Sequence, residues 1–315
     1  MRIYFLSAEP AALKLDGQYT GTIDMFERYV EIPLDRGAFA EIAPHSCRQA
    51  LNFFIDEKFF AAGHDFCKIF ISGDERAIYV ESFPPRGKEV EIIAQARAGG
   101  ALVSVFRFGG VYAAVEAGKT SLVKLGEGFG KTEIFTAKIG GCEYAALRGK
   151  NCVALFRGAE RVFFGGCEGF EEGEQLKTEQ STDCCTRARL KREYIFDGEK
   201  FALRSQQLEH GREPAQETLA FAFFEGVLYG GCEKYLCEEL KDRASALKNY
   251  LGEFVAVTPP DERTVEKYGT NAAGLVYPAG EGRFEIKYYM VELGGGKVTN
   301  IFPAEPFEPP GNSDS

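Results

Sequence analysis

The chain has 315 residues, 45% hydrophobic and 27% charged, which is the composition of an ordinary globular protein. Its 47 acidic and 37 basic residues give a net charge of −10, which argues against nucleic acid and anionic membranes as partners. No apolar run approaches the ~18 residues of a membrane span, and the run at 3–6 is too short for a signal peptide. With nine scattered cysteines, these features predict a cytoplasmic protein with reduced thiols and two or three domains.

Residues 1–60 are predicted to form a small β module. Strands are predicted at 3–6 and 12–15, and Asp16-Gly17 indicates a tight hairpin turn, because such turns need positive φ. The module resembles the PEGA domain family at Ser7, Pro10, Asp16, Gly17 and Gly21. The pattern departs at Thr22-Ile23, where the family has Thr-Pro. The resemblance implies a structural or surface-forming module without catalytic residues.

Residues 61–209 are predicted to form an antiparallel β body. Short β-favouring runs alternate with glycine-containing turns every 8–12 residues or so, as in a sandwich. Residues 103–110 and 153–158 share a Val-x-x-Phe-Arg-x-Gly core, 50 residues apart if one position slips, and this spacing is typical of a propeller blade. A closed propeller needs about four blades and this region holds three, so a sandwich is favoured and a propeller-like fragment is the alternative.

Two glycine stretches, 113–120 and 126–132, approximate a phosphate-binding loop. Such a loop requires a helix that starts at its Lys-Thr, so that backbone amides face the phosphates. Both stretches run instead into predicted strands, so nucleotide hydrolysis is not favoured.

Two pairs of residues could together hold a zinc ion: His45 with Cys47, and His64 with Cys67. Four nitrogen and sulfur ligands complete a tetrahedral site. The alternative makes both cysteines small buried side chains and both histidines turn or surface residues. This interpretation without a zinc site is favoured because the paired Cys-x-x-Cys pattern is absent. We therefore predict no metal and no cofactor.

Residues 212–302 are predicted to form an α+β domain. The segment 219–228 is apolar on all sides and predicts a buried helix, and 236–251 carries an apolar stripe that predicts a second one. Strands follow at 253–258, 272–277, 283–293 and 297–302. We expect Ile286, Tyr288 and Met290 to face the first helix. The Pro-rich, acidic tail at 303–315 is predicted to be disordered.

The order of these C-terminal elements, with a terminal hairpin over 288–301, resembles the nuclear-transport-factor-two-like (cystatin-like) superfamily. That resemblance implies a curved sheet wrapped around a helix, with a pocket between them. Tyr229, Tyr277 and Tyr289 are the candidate ligand-binding residues, and Glu225 is the candidate catalytic base.

The sequence thus predicts a mostly β protein with a C-terminal α+β domain. Without a converging set of reactive residues, the favoured hypothesis is a non-enzymatic binding or scaffold protein whose partner is an unidentified protein or small molecule. The alternative is a small-molecule isomerase, lyase or hydratase that uses the C-terminal pocket. A homo-oligomer is compatible with either hypothesis.

Overall fold

The computed structural model describes residues 1–33, 36–45, 50–57, 66–71, 77–80, 90–182, 188–259, 261–280 and 283–304. These residues form six four-stranded sheets and a few C-terminal helices, which confirms the predicted fold class. The chain divides into two compact units, Met1–Leu176 with Ile195–Ala202, and Lys177–Tyr194 with Leu203–Ser315. Within the described ranges, no helix has the length and apolar character needed to cross a membrane.

The first two sheets share one apolar core. Their strands are β1 Arg2–Ser7, β2 Ala11–Leu15, β3 Gln18–Ile23, β4 Arg28–Glu31, β5 Ala38–Pro44, β6 Leu51–Ile55, β7 Phe66–Ile71 and β8 Ala77–Val80, in the orders β4-β1-β7-β8 and β3-β2-β5-β6. Phe5, Leu13 and Ile69 are among the residues of their core. The turn between β2 and β3 has φ of 48° at Asp16 and 79° at Gly17, which confirms the predicted hairpin. Because β1 pairs in parallel with β7, the first sheet joins strands from both sides of the domain boundary predicted at residue 60.

The third and fourth sheets each follow chain order and face each other across a second core. Their strands are β9 Glu91–Ala98, β10 Ala101–Arg107, β11 Val111–Ala117 and β12 Lys119–Lys124, then β13 Glu133–Ile139, β14 Cys142–Gly149, β15 Cys152–Arg157 and β16 Glu160–Gly166. Val103 and Val115 from one sheet share this core with Leu147 and Phe156 from the other. The predicted antiparallel β body is confirmed in these two sheets.

The repeated Phe-Arg sequence corresponds to a repeated β-bulge. The register of β10 shifts between Val105 and Phe106, and that of β15 shifts between Leu155 and Phe156. However, β10 is the second strand of its sheet and β15 is the third. The repeat therefore reflects a shared local distortion, which re-aims the following arginine, and does not mark equivalent strands of two blades.

The fifth sheet contains β17 Gly169–Glu171, β18 Leu176–Ser181, β19 Ala188–Phe196 and β20 Phe201–His210, again in chain order. Its β19–β20 turn is closed by the Asp197 carboxylate, which accepts hydrogen bonds from the backbone N–H groups of Glu199 and Lys200 at 3.0 and 2.9 Å. This turn, within Ile195–Ala202, belongs to the first unit.

The C-terminal region contains α1 Leu219–Tyr229, α2 Glu238–Lys241, α3 Ala244–Leu251, β21 Ala256–Thr258, α4 Glu262–Tyr268, β22 Ala272–Pro278, β23 Phe284–Gly294 and β24 Lys297–Pro303. The apolar helix α1 is buried from residue 220 to 227, as predicted. The second predicted helix is wrong as a single element, because Leu236 is extended where it bridges to Val298 and the helical part begins only at α2. Residues 305–315 of the predicted disordered tail lie outside the described residues.

The predicted buried face of β23 is also wrong. Ile286 is 48% exposed, while Tyr289, Val291 and Leu293 belong to the core around α1. The strand carries apolar residues on both of its faces, so alternation alone could not choose between them. The face with even-numbered residues instead meets α4, where the Tyr268 ring stacks on Tyr288 with centroids 6.1 Å apart.

Candidate functional site

A cleft in the first unit is formed by three hairpin turns. The turns join β11 to β12, β15 to β16 and β19 to β20, so each connects the third and fourth strands of its own sheet. The cleft encloses about 680 Å³, which is within the usual range of small-molecule sites. Its lining residues are Ala117, Lys119, Arg157, Gly158, Ala159, Glu160, Val162, Phe196, Gly198 and Glu199. We call this site the three-hairpin cleft.

The three turns are related by a regular spacing in the sequence. Gly118, Gly158 and Gly198 are each 40 residues apart. All three have positive φ, at 77°, 59° and 111°, so each occupies the tight part of its hairpin. The cleft is thus built from the corresponding turn of three successive four-stranded sheets.

An aromatic side chain holds one cation against the cleft wall. Arg157 ends β15, and its guanidinium carbon lies 5.3 Å from the centroid of the Phe196 ring. That ring is itself anchored, with centroids 5.3 Å from Phe201 and 6.1 Å from the buried Tyr144. A cation over an aromatic face at an exposed site gains about 0.5–1 kcal/mol, enough to bias the orientation of the guanidinium.

A second cation is already neutralised. Lys119 Nζ lies 3.0 Å from Glu160 Oε1 and 4.2 Å from the centroid of the Phe26 ring. Glu160 is the cross-strand neighbour of Arg157, yet its recorded ion pair is with Lys119. Across the described part of the chain, the Arg157 guanidinium has no ion pair and no hydrogen bond. Within the described ranges, the guanidinium that lines the cleft therefore has no counter-ion.

The floor of the cleft is fixed by buried contacts. The hydroxyl of Ser121 on β12 is buried and donates a hydrogen bond to the carbonyl oxygen of Ala159 in the β15–β16 turn. Ala159 and Val162 are themselves only 3% and 5% exposed. An interior hydrogen bond thus joins β12 to the β15–β16 turn, which favours a preformed site.

The predicted tyrosines and Glu225 lie in the second unit. The Tyr277 hydroxyl donates to the carbonyl oxygen of Leu251 at 2.6 Å, and burial, with a hydrogen bond to Tyr289, raises the pKa of Tyr277. The structure therefore brings Tyr277 and Tyr289 together. Tyr229 instead packs against the separate apolar cluster around Leu208, and Glu225 is 5% exposed on α1.

The predicted zinc ligands are only partly described. His45 is exposed in a turn after β5, whereas Cys67 on β7 is fully buried and burial raises its pKa to about 12. A protonated, buried thiol is a poor metal ligand. Cys47 and His64 lie outside the described residues. Among the residues that are described, no group of three or more His, Cys, Asp or Glu side chains could hold a metal ion.

The sequence-based candidates did not include Arg157, Phe196, Lys119 or Glu160. The signal that could have found them is the 40-residue glycine spacing, which indicates repeated supersecondary units. Each of these residues lies within three positions of one of the three glycines.

No family model, curated protein or solved structure matches this chain. The function proposed below therefore depends on the geometry of the three-hairpin cleft. The resemblances to the PEGA family and to the nuclear-transport-factor-two-like superfamily remain predictions.

Proposed function

We propose that this is a non-enzymatic binding protein whose ligand occupies the three-hairpin cleft. The observation that carries the proposal is the construction of the cleft from the same turn of three successive sheets. Turns on a rigid sheet scaffold are common places for binding residues, because the scaffold fixes them while the loops vary. The lining supplies an aromatic ring, charged groups of both signs and exposed turn backbone, which suits recognition of a small polar molecule or a short peptide.

The alternative, a small-molecule isomerase, lyase or hydratase in the C-terminal region, has one observation in its favour. Glu225 places a carboxyl group, 5% exposed, on the apolar helix α1. A carboxyl group shielded from water on an apolar helix is a candidate general base. For this alternative, Glu225→Gln abolishes turnover of a compound that still binds. For the cleft proposal, the same substitution leaves ligand binding unchanged.

The test begins with a thermal-shift screen against a panel of carboxylates, phosphates, sugars, amines and short peptides. The chain has no tryptophan, so a single introduced one reports on its own surroundings. Glu199→Trp places this reporter in the cleft lining, and Glu239→Trp places it on the exposed surface of α2 as the matched control.

The proposal expects at least one stabilising compound that changes the tryptophan emission of Glu199→Trp and leaves that of Glu239→Trp unchanged. A panel without any stabilising compound would contradict it. So would stabilisers that change neither emission or change both equally.

A further inference from the structure

We infer that the ligand of the three-hairpin cleft carries a single oxyanion, a carboxylate or a phosphate, which Arg157 binds through its guanidinium. This inference rests on the proposed function and adds the chemical class of the ligand. It follows from a comparison of two arginines that share a sequence context and differ in their ion pairing.

Arg107 and Arg157 each follow the phenylalanine of a β-bulge, and each has a glutamate as its cross-strand neighbour. Arg107 pairs with its neighbour Glu91, with Nη1 to Oε2 at 2.9 Å. The corresponding neighbour of Arg157 is Glu160, whose carboxylate is held by Lys119 from the adjacent sheet. The two sites therefore have the same local design, but among the residues that the structure describes only Arg107 has an ion pair, and Arg157 can bind an external anion.

The surroundings of Arg157 fit it for this task. The Arg157 guanidinium carbon lies 5.3 Å from the centroid of the Phe196 ring, and this contact biases the position of the guanidinium in the cleft. A planar fork of N–H groups matches the two oxygens of a carboxylate or phosphate in a bidentate contact. Orientation by the ring reduces the entropy lost when such a contact forms.

The remaining charges limit how much negative charge the ligand carries. Glu160 and Glu199 line the same cleft, where Glu160 pairs with Lys119 and Glu199 has no ion pair with any described residue. A polyanion would meet repulsion from Glu199, and the net charge of −10 adds to it. A small molecule or peptide with one oxyanion satisfies Arg157 without this cost.

The experiment titrates sodium phosphate and, separately, sodium acetate into the Glu199→Trp variant, with sodium chloride at equal ionic strength as the reference. Because that variant lacks the Glu199 carboxylate, the same titrations are repeated in the unsubstituted chain and followed by thermal shift. Tryptophan emission is followed in that variant alone and combined with Arg157→Gln, Arg157→Lys or Arg107→Gln. Phosphate and acetate distinguish the two sources of the oxyanion.

We expect saturable binding of at least one anion, with the same dissociation constant in the Arg107→Gln background. Arg157→Gln should raise that constant roughly tenfold or more, because a charge-assisted hydrogen bond is lost. The dissociation constant of Arg157→Lys should lie between those of the parent and Arg157→Gln, because lysine keeps the positive charge but lacks the paired N–H groups of the guanidinium. The melting temperature measured by circular dichroism should fall only slightly in Arg157→Gln, which removes the contact with the Phe196 ring but, among the described residues, no ion pair.

Equal binding with and without Arg157→Gln, or an equal loss with Arg107→Gln, would overturn the inference. If neutral or cationic compounds change the emission of Glu199→Trp while neither anion does, the inference fails and the proposed function stands. If no compound of any charge changes that emission, both fail.

Discussion

Gly99, in the turn between β9 and β10 of the third sheet, lies against β14 of the fourth, and two of the three turns of the cleft come from these sheets. A Cβ atom added at Gly99 would lie within 2.5 Å of the backbone of Tyr144 and Ala145 on β14, 2.2 Å from the Ala145 nitrogen. Gly99 also donates its N–H to Thr136 Oγ1 at 3.0 Å. Gly99→Ala would therefore force the two sheets apart.

The neighbouring glycine gives the matched control. Gly100 also has positive φ, at 75° against 50° for Gly99, but a Cβ added there would meet nothing within 4 Å. Alanine at positive φ costs roughly 1–2 kcal/mol at either site. Overpacking adds about 1–3 kcal/mol at Gly99 alone, and the strained hydrogen bond to Thr136 adds about 1 kcal/mol more. We therefore expect Gly99→Ala to lose about 3–6 kcal/mol and Gly100→Ala about 1–2 kcal/mol.

The assay is urea unfolding followed by circular dichroism, with both variants and the parent at one protein concentration. Because the chain forms two compact units, the transition assigned to the first unit is the one compared. Equal losses of stability in the two variants would refute the close packing of these sheets, and with it the structural basis of the cleft.

Three further predictions concern single side chains. Burial, helped by nearby Lys234, lowers the pKa of His210 from 6.5 to about 4, so between these two pH values the unfolded chain binds more protons than the folded chain. The free energy of unfolding should therefore fall by about 1–2 kcal/mol as pH drops through that window, because the ring is partly exposed. Urea unfolding at each pH measures this fall, which should be absent in His210→Phe. Lys68→Met should lower the free energy of unfolding by about 2 kcal/mol or more, because it removes the partner 3.0 Å from the largely buried Glu27 carboxylate. Lys138→Met, at an exposed pair with Glu143, should lower it by under about 1 kcal/mol in thermal unfolding. Similar losses in the two variants would contradict the burial argument. Tyr277→Phe should lower the free energy of unfolding by about 1 kcal/mol, because it removes the hydrogen bond to Leu251. Tyr250→Phe, at a 55% exposed ring, should change that free energy very little. Equal melting temperatures for the two variants would count against the hydrogen bond.

Local chemistry in the sequence predicted the hairpins and the buried helix. Asp16-Gly17 adopts the positive φ angles that a tight turn requires, and α1 is buried because its apolar residues cover every side. In each case the deciding interactions lie within a few residues along the chain. Such features can be predicted without knowledge of the packing.

One error concerned a local signal, and it led to a second error about packing. The helix α4 was predicted only as a polar segment, although Asp261 caps it by accepting from the backbone N–H of Thr264 at 2.8 Å. With α4 missing, nothing in the sequence indicated that the Tyr288 face of β23 would be covered by a helix. The face of β23 that packs on the core around α1 could then not be assigned correctly.

The candidate site could not be predicted from the sequence, because its residues are distant from one another in the chain. Arg157 and Phe196 are 39 residues apart in the chain and are brought together only by the tertiary fold. The pairing of Glu160 with Lys119, which leaves Arg157 available, also joins two sheets. Only the regular spacing of Gly118, Gly158 and Gly198 was visible in the sequence.

The most direct test of the cleft is hydrogen–deuterium exchange of the full chain, with and without the compound that stabilises it most. Binding in the three-hairpin cleft should slow exchange in the peptides that contain all three turns, at residues 117–119, 157–160 and 196–200, and leave α1 and β22 unchanged. Slower exchange confined to α1 and β22, or in none of the three turns, would contradict the account.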